Sequence, residues 1–322
     1  MPDRRTVRAD ASGDEPASGN DLGFSLPIFD AHHHFWRLGE GHYPWLSDAY
    51  DSTFFLGDYR SICTDFMVDE YAAATAGFDV VGSVHVEAER SRKEQVAETE
   101  FLTRLNRETG RPNAIVGHVY FTQPDREAVL AGHAAHGLVR GIRSKPKTAP
   151  RPDASVDGDA GSMQDPNWLA GYALLARYGF SWDLRVPYWE LERAAAVVSR
   201  FPDIPVVVNH LGLPVDRTVD GLAMWRRGMA ALAACPHVTV KVSQLGLAGA
   251  RWDPASNRRV VREAVELFGY SRSMFGSNLP VAGLAASFRD GVSDILAALH
   301  DATEADLKQV FSETARMFYR VG

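Results

Sequence analysis

The chain has 322 residues, 45% of them hydrophobic, enough to fill the core of one large domain or two small ones, and one domain is the simpler reading. A formal net charge of −7 and a pI near 5.9, with no long run of Lys or Arg, argue against a nucleic-acid partner. Two distant cysteines, Cys63 and Cys235, give neither a disulfide framework nor a zinc-ribbon spacing, and no apolar run reaches membrane-spanning length, so a cytoplasmic protein without a membrane partner is expected.

Residues 1–24 mix charge with Gly, Ser, Pro and Ala and read as a disordered tail preceding a domain over 25–322. The first apolar strand then runs into three histidines, Ile28-Phe-Asp-Ala-His-His-His-Phe-Trp36. Strand alternation would place Asp30, His32 and His34 on one face, with Ala31, His33 and Phe35 on the other. Two imidazoles and a carboxylate converging at a strand end form the first candidate for chemistry.

After a polar and aromatic connection, Arg37 to Arg60, the spacing predicts a helix over 65–76, a strand over 79–87 and a helix over 91–108. A strand over 114–121, a helix over 125–136 and a strand over 138–143 follow. Ser144 to Pro166, rich in Pro, Asp, Gly and Ser, has the character of a lid, a binding loop or a disordered segment. Helices are then predicted over 167–178, 189–200, 222–234 and 257–268, alternating with strands over 180–186, 204–209, 238–243 and 273–277, and two more helical segments close the chain. Eight strands alternating with helices, several short and Val-rich, predict an α/β protein with the (β/α)8 TIM-barrel fold, a single domain with a long loop after strand four. A doubly wound open sheet is the alternative, but no strand leads into a glycine-rich phosphate turn.

In such a barrel the active site forms at the C-terminal strand ends. Those ends supply His32 and His34, His85 and Glu87, Arg140, Arg143 and Lys145, Asp183 and Arg185, Asn209 and His210, Lys241, Ser243 and Gln244, and Ser277 and Asn278. On a regular strand Asn209 and His210 cannot both face inward. Glu87 is either an ion-pair partner of a nearby Arg or a catalytic carboxylate. Arg143 suits a bidentate substrate clamp, and Lys241, set among apolar residues, needs a partner or a shifted pKa. Phe35, Trp36, Tyr43 and Trp45 read as packing of the first loop, with ring stacking on a ligand as the other role. His118, His133, His136 and His237 read as structural or solvated.

The ordered set Asp30-Ala-His-His-His-Phe-Trp36, Tyr43-Pro-Trp-Leu46, Val139-Arg-Gly-Ile-Arg143, Val208-Asn-His-Leu-Gly-Leu-Pro214, Val240-Lys-Val-Ser243 and Met274-Phe-Gly-Ser-Asn-Leu-Pro-Val281 resembles the amidohydrolase superfamily. The branch is amidohydrolase 2, which includes sugar-acid lactonases and 2-pyrone-4,6-dicarboxylate lactonase. The resemblance implies a hydrolase opening a lactone or related ester of a small carboxylated or hydroxylated molecule. In that picture His32, His34 and His210 polarise the carbonyl, with Arg143, Lys145, Asp183, Lys241 and Trp36 around the substrate.

The family's usual general base, an Asp at the end of strand eight, is replaced here by Asn278, and the later Asp of some relatives is Ala282. That leaves Glu87, Asp30, Asp183 or a histidine to activate water, with His210 or Glu87 favoured. Strand five also lacks the ligand His of metal-dependent members, so no cofactor is expected to be required. Three imidazoles, His32, His34 and His210, would suffice for a single Zn2+. Two further readings are a metal-dependent decarboxylase or hydratase of the same superfamily, and a non-catalytic binding subunit. A homo-oligomer is compatible with either.

Overall fold

The computed structural model describes residues 25–322 except Ala49, Thr53 and Phe55, so the tail expected over residues 1–24 lies outside the described residues. Eight parallel strands follow one another around a single sheet: β1 (Ile28–His33), β2 (Val80–Val86), β3 (Ala114–His118), β4 (Val139–Arg143), β5 (Ser181–Leu184), β6 (Val206–Val208), β7 (Val238–Val242) and β8 (Ser273–Phe275). Closure comes just beyond β8, where His33 bridges Leu279 in parallel fashion, His34 N–H donates to Leu279 O at 2.8 Å and Asn278 N–H donates to His32 O at 2.6 Å. The fold is the (β/α)8 barrel that the alternation predicts.

Most strand residues are buried on both faces, as β6 (Val-Val-Val) illustrates. Outward side chains join a continuous layer beneath the surrounding helices, while Phe29, Ala31, Val84, Val86, Val116, Val207 and Met274 fill the barrel with Tyr319 from the C-terminus. Helix ends follow local chemistry. The helix Pro166–Tyr178 starts with Pro at its first position, the Asp165 carboxylate accepting from Asn167 N–H, and stops at left-handed Gly179. Helix Gln95–Thr109, which packs on β3, stops at left-handed Gly110.

Two irregularities position the site. In β1, Asp30 pairs with Ser83 but His33 with His85, so one extra residue is accommodated and the alternation is broken. At the end of β6, His210, Leu211 and Leu213 have φ of 56°, 53° and 53°, a left-handed backbone that is rare without glycine.

The long loop after β4 is folded rather than open. Lys147 N–H donates to Gly161 O at 2.8 Å, Lys147 pairs with Asp159, and Ala149 N–H donates to the Glu190 carboxylate at 3.0 Å. Among the described residues, no helix is long and apolar enough to cross a membrane.

Candidate active site

A cavity of about 330 Å³ opens at the C-terminal ends of the strands. Five of the residues expected from sequence line it: His34, His210, Asn278, Arg143 and Lys145. Arg185, another strand-end residue, joins them, as do Trp45, Phe54 and Tyr59 of the β1 loop together with Asp51, Glu89, Ala88 and Val281.

His34 Nδ1 lies 2.7 Å from Val86 O, so it carries the proton and Nε2 keeps its lone pair. That nitrogen faces the Asn278 side chain, whose Oδ1 lies 3.1 Å away and whose Nδ2 reaches Gln244 Oε1. Two lone pairs cannot bond each other; the contact is satisfied when both amides turn over, presenting Asn278 NH2 to His34 Nε2. Asn278 itself sits at φ 54°, a conformation Asn adopts more readily than most residues.

His210 reaches the cavity because its backbone has left the strand. Asn209 can therefore donate to Asp183 Oδ1 at 3.0 Å while His210 Nδ1 meets Ser243 Oγ at 2.9 Å, both side chains pointing inward contrary to the strict alternation expected. The left-handed turn beginning at His210 makes this compatible.

Glu87 is not on the cavity wall. Its carboxylate accepts from Arg143 Nε and from Glu89 N–H at 2.8 Å, while Arg143 Nη2 donates to Glu87 O at 2.6 Å. Burial alone would raise its pKa, but the Arg143 guanidinium, aided by His118 and Lys145, outweighs this and holds it at about 2. So committed a carboxylate is a poor proton acceptor, and Glu87 acts as the anchor of Arg143. Burial, then Arg143, lowers His34 to about 3; burial, then Arg185 and Arg143, takes His210 well below its ordinary value. Both imidazoles are therefore neutral near pH 7.

Burial and neighbouring Arg185 pull Lys145 toward about 7. Glu87 and the pairing with Glu89 at the rim, with 30% of the side chain open to solvent, oppose that pull. Arg185, lowered to about 10 by burial and Arg143, remains charged.

The remaining expected residues lie behind or below the cavity. Trp36 is fully buried, donates to Thr64 O at 2.6 Å and stacks behind His34 at 6.2 Å, so it supports the histidine rather than meeting a ligand. Asp183 and Lys241 form a buried pair at 2.5 Å beneath the floor, and His32 lies just above them, its ring 4.5 Å from that of His210. Asp30, expected beside His32 and His34, instead accepts from Tyr71 Oη at 2.8 Å and from Ser277 N–H at 2.8 Å, because the β1 irregularity turns it outward. It is not available to a substrate. Of the aromatic wall, Trp45 was expected as loop packing or as a stacking surface and Phe54 and Tyr59 were missed, since nothing in local spacing says which face of a loop meets a cavity.

The donor set does not suit the Zn2+ that His32, His34 and His210 were expected to be able to hold. Among the described residues no group of three or more His, Cys, Asp or Glu side chains is disposed as metal ligands. His34 Nε2 is directed at the Asn278 amide, and both nearby carboxylates, Glu87 and Asp183, are held by Arg143 and Lys241.

The chain is 32% identical over 297 residues to an uncharacterized protein, y4mH, of Sinorhizobium fredii, covering 92% of this chain and 99% of that one. It is 30% identical over 275 residues to a Burkholderia multivorans protein named L-fucono-1,5-lactonase, covering 82% and 86% of the two chains. A B. multivorans amidohydrolase, crystallised in one form with bound HEPES and in another with bound zinc, superposes with a TM-score of 0.73 at 26% identity over 92% of this chain and 99% of that one. The Amidohydro_2 family model, described as amidohydrolase, matches residues 29–321, and the chain belongs to this amidohydrolase family of barrel hydrolases.

Proposed function

We propose that the protein hydrolyses a lactone, or a related ester, of a small polar acid by water attack within the cavity at the barrel mouth. The observation that carries this reading is the pairing of neutral imidazoles, His34 and His210, with the cations Arg143, Lys145 and Arg185 on one cavity surface. A neutral imidazole can take a proton from water, and fixed cations stabilise the oxyanion formed when that water adds to the carbonyl.

With Asn278 in the position of the usual carboxylate, the proton is assigned to His210. When Nδ1–H donates to Ser243 Oγ, Nε2 is left as the acceptor. The same proton can then pass to the departing alkoxide as the tetrahedral intermediate collapses. Asn278 and Arg143 orient the carbonyl, while Lys145 and Arg185 meet carboxylate or hydroxyl oxygens of the substrate. The relative named L-fucono-1,5-lactonase supports this substrate class.

The test is a panel of aldonolactones and carboxylated lactones assayed for acid release across pH 4.5–8. Turnover of at least one member is expected, with an acid limb well below pH 6.5, because lowering the His210 pKa keeps its base form populated at lower pH. Tight binding without turnover would favour a binding subunit. Activity only on carboxylated aromatics with added metal would favour a decarboxylase. Either result overturns the proposal.

A further inference from the structure

Beneath the cavity floor runs a buried polar chain for which the reaction above has no use. Tyr319, at the end of the last helix, donates its hydroxyl to the Asp183 carboxylate, lying 3.1 Å from both oxygens. Asp183 Oδ1 accepts from Lys241 Nζ at 2.5 Å and from Asn209 Nδ2 at 3.0 Å. Lys241 Nζ lies 5.2 Å from the centre of the Tyr319 ring and 3.4 Å from His32 Nδ1. Lys241, Asp183 and His32 are completely buried.

An ammonium has protons to give and no lone pair, so the ring nitrogen facing it must be the unprotonated one. A neutral imidazole then carries its proton on the opposite nitrogen. His32 Nε2 is buried and has no hydrogen-bond partner. Its ring lies 5.2 Å from that of His34 and 4.5 Å from that of His210, the two histidines that face the cavity. A buried donor left unpaired is unfavourable until an acceptor reaches it, and the acceptor generated in ester hydrolysis is an oxyanion.

We infer that Lys241 is a positioning residue which, oriented by Asp183 and Tyr319 from the bottom of the barrel, fixes His32 as its Nε2–H tautomer and so supplies an unpaired donor beneath the reacting carbonyl. Lys241 thus acts through His32 without touching substrate. Asp183 fixes the direction of the ammonium, and the C-terminal Tyr319 fixes Asp183. The catalytic consequence rests on the lactone-hydrolysis reading; the tautomer does not.

The two parts are separable by experiment. In full-length protein labelled with 15N-histidine, long-range 1H–15N spectra at neutral pH distinguish protonated from unprotonated ring nitrogens, with His32 assigned by its loss in His32→Gln. The wild type is expected to show His32 protonated at Nε2 only, and Lys241→Met to shift the proton to Nδ1 or average it over both nitrogens. On a substrate that is turned over, kcat should fall about 10- to 100-fold in Lys241→Met with KM nearly unchanged, and Lys241→Arg should restore most of both signals.

If removing the cation alone prevents folding, the double variant Asp183→Asn/Lys241→Met removes both charges together, and the tautomer is read there. An Nδ1–H His32 in the wild type, or an unchanged Nε2–H signal in the Met variant, overturns the inference. The expected tautomers with no lactone turned over would overturn the function proposed above and leave the positioning role standing.

Discussion

His32 and His33 are consecutive, both fully buried, and both have pKa values driven well below normal, first by burial. Their surroundings differ completely. His32 faces inward to Lys241 and His210, whereas His33 faces outward, its ring 4.2 Å from Phe35 and 4.8 Å from Tyr71, with neither nitrogen hydrogen-bonded. Around His33 stand Asp30, held by Tyr71 and Ser277, and His85, whose Nε2 lies 3.5 Å from a Glu98 carboxylate raised to about 7 by burial and Glu87. The barrel wall thus carries buried, perturbed titratable groups on both sides. What distinguishes His32 is its position beside His34 and His210, which line the cavity, so a shifted pKa alone would have pointed to both.

The largest effect should come from the cavity side. His210→Asn, which keeps a residue that tolerates left-handed backbone, is expected to lower kcat/KM on any turned-over lactone by about 10²- to 10⁴-fold, read by steady-state kinetics. A comparable loss in His33→Phe would break the distinction between the two sides. Next is the Arg143–Glu87 pair. Glu87→Gln leaves a buried guanidinium without its counter-charge and is expected to cost about 3–5 kcal/mol in urea-unfolding free energy, as well as loosening Arg143 at the cavity.

Acid sensitivity should be smaller for each group but shared by both sides. His32, His33, His34, His85, His133 and His210 all have native pKa values below 6.5, so the unfolded chain binds protons first as pH falls. Stability is then full above about pH 6.5 and is lost on acidification, by about 1 kcal/mol per histidine for each pH unit below that value. Thermal unfolding at pH 7, 6 and 5 checks the sign; a Tm that rises on acidification would contradict it. Smallest is His33→Phe itself. Removing two unsatisfied ring nitrogens from an aromatic surround should change stability by less than about 1 kcal/mol and leave kcat near wild type.

Hydrophobic periodicity sufficed for the barrel, since every strand and helix of the βα alternation has a sequence counterpart within a few residues. Strand ends in this architecture have one destination, and His34, His210, Asn278, Arg143 and Lys145 line the cavity there. Reading failed where the backbone departs from regularity. The extra residue in β1, which no Gly or Pro announces, sends Asp30 outward, and the turn beginning at His210 lets two successive side chains face in; Gly212 and Pro214 mark that turn but do not say that the left-handed backbone already starts at His210. Partner choice was equally hidden: Glu87 and Arg143 are 56 residues apart, and whether that carboxylate is a base or an anchor is decided by a guanidinium the local sequence does not show.

The aromatic wall has a consequence beyond shape. Trp45, Phe54 and Tyr59 contact one another at ring separations of 4.6–5.7 Å, and Trp45 and Phe54 pack on a small apolar cluster of Trp36, Tyr43, Leu46, Ala88 and Val281, separate from the main barrel core. Side chains of the β1 loop therefore build one side of the cavity, seated on Ala88 and Val281, while the histidines and cations stand at the strand ends. Diversification can act on the two independently: replacing Trp45, Phe54 or Tyr59 reshapes the cavity and leaves the charged floor as it is.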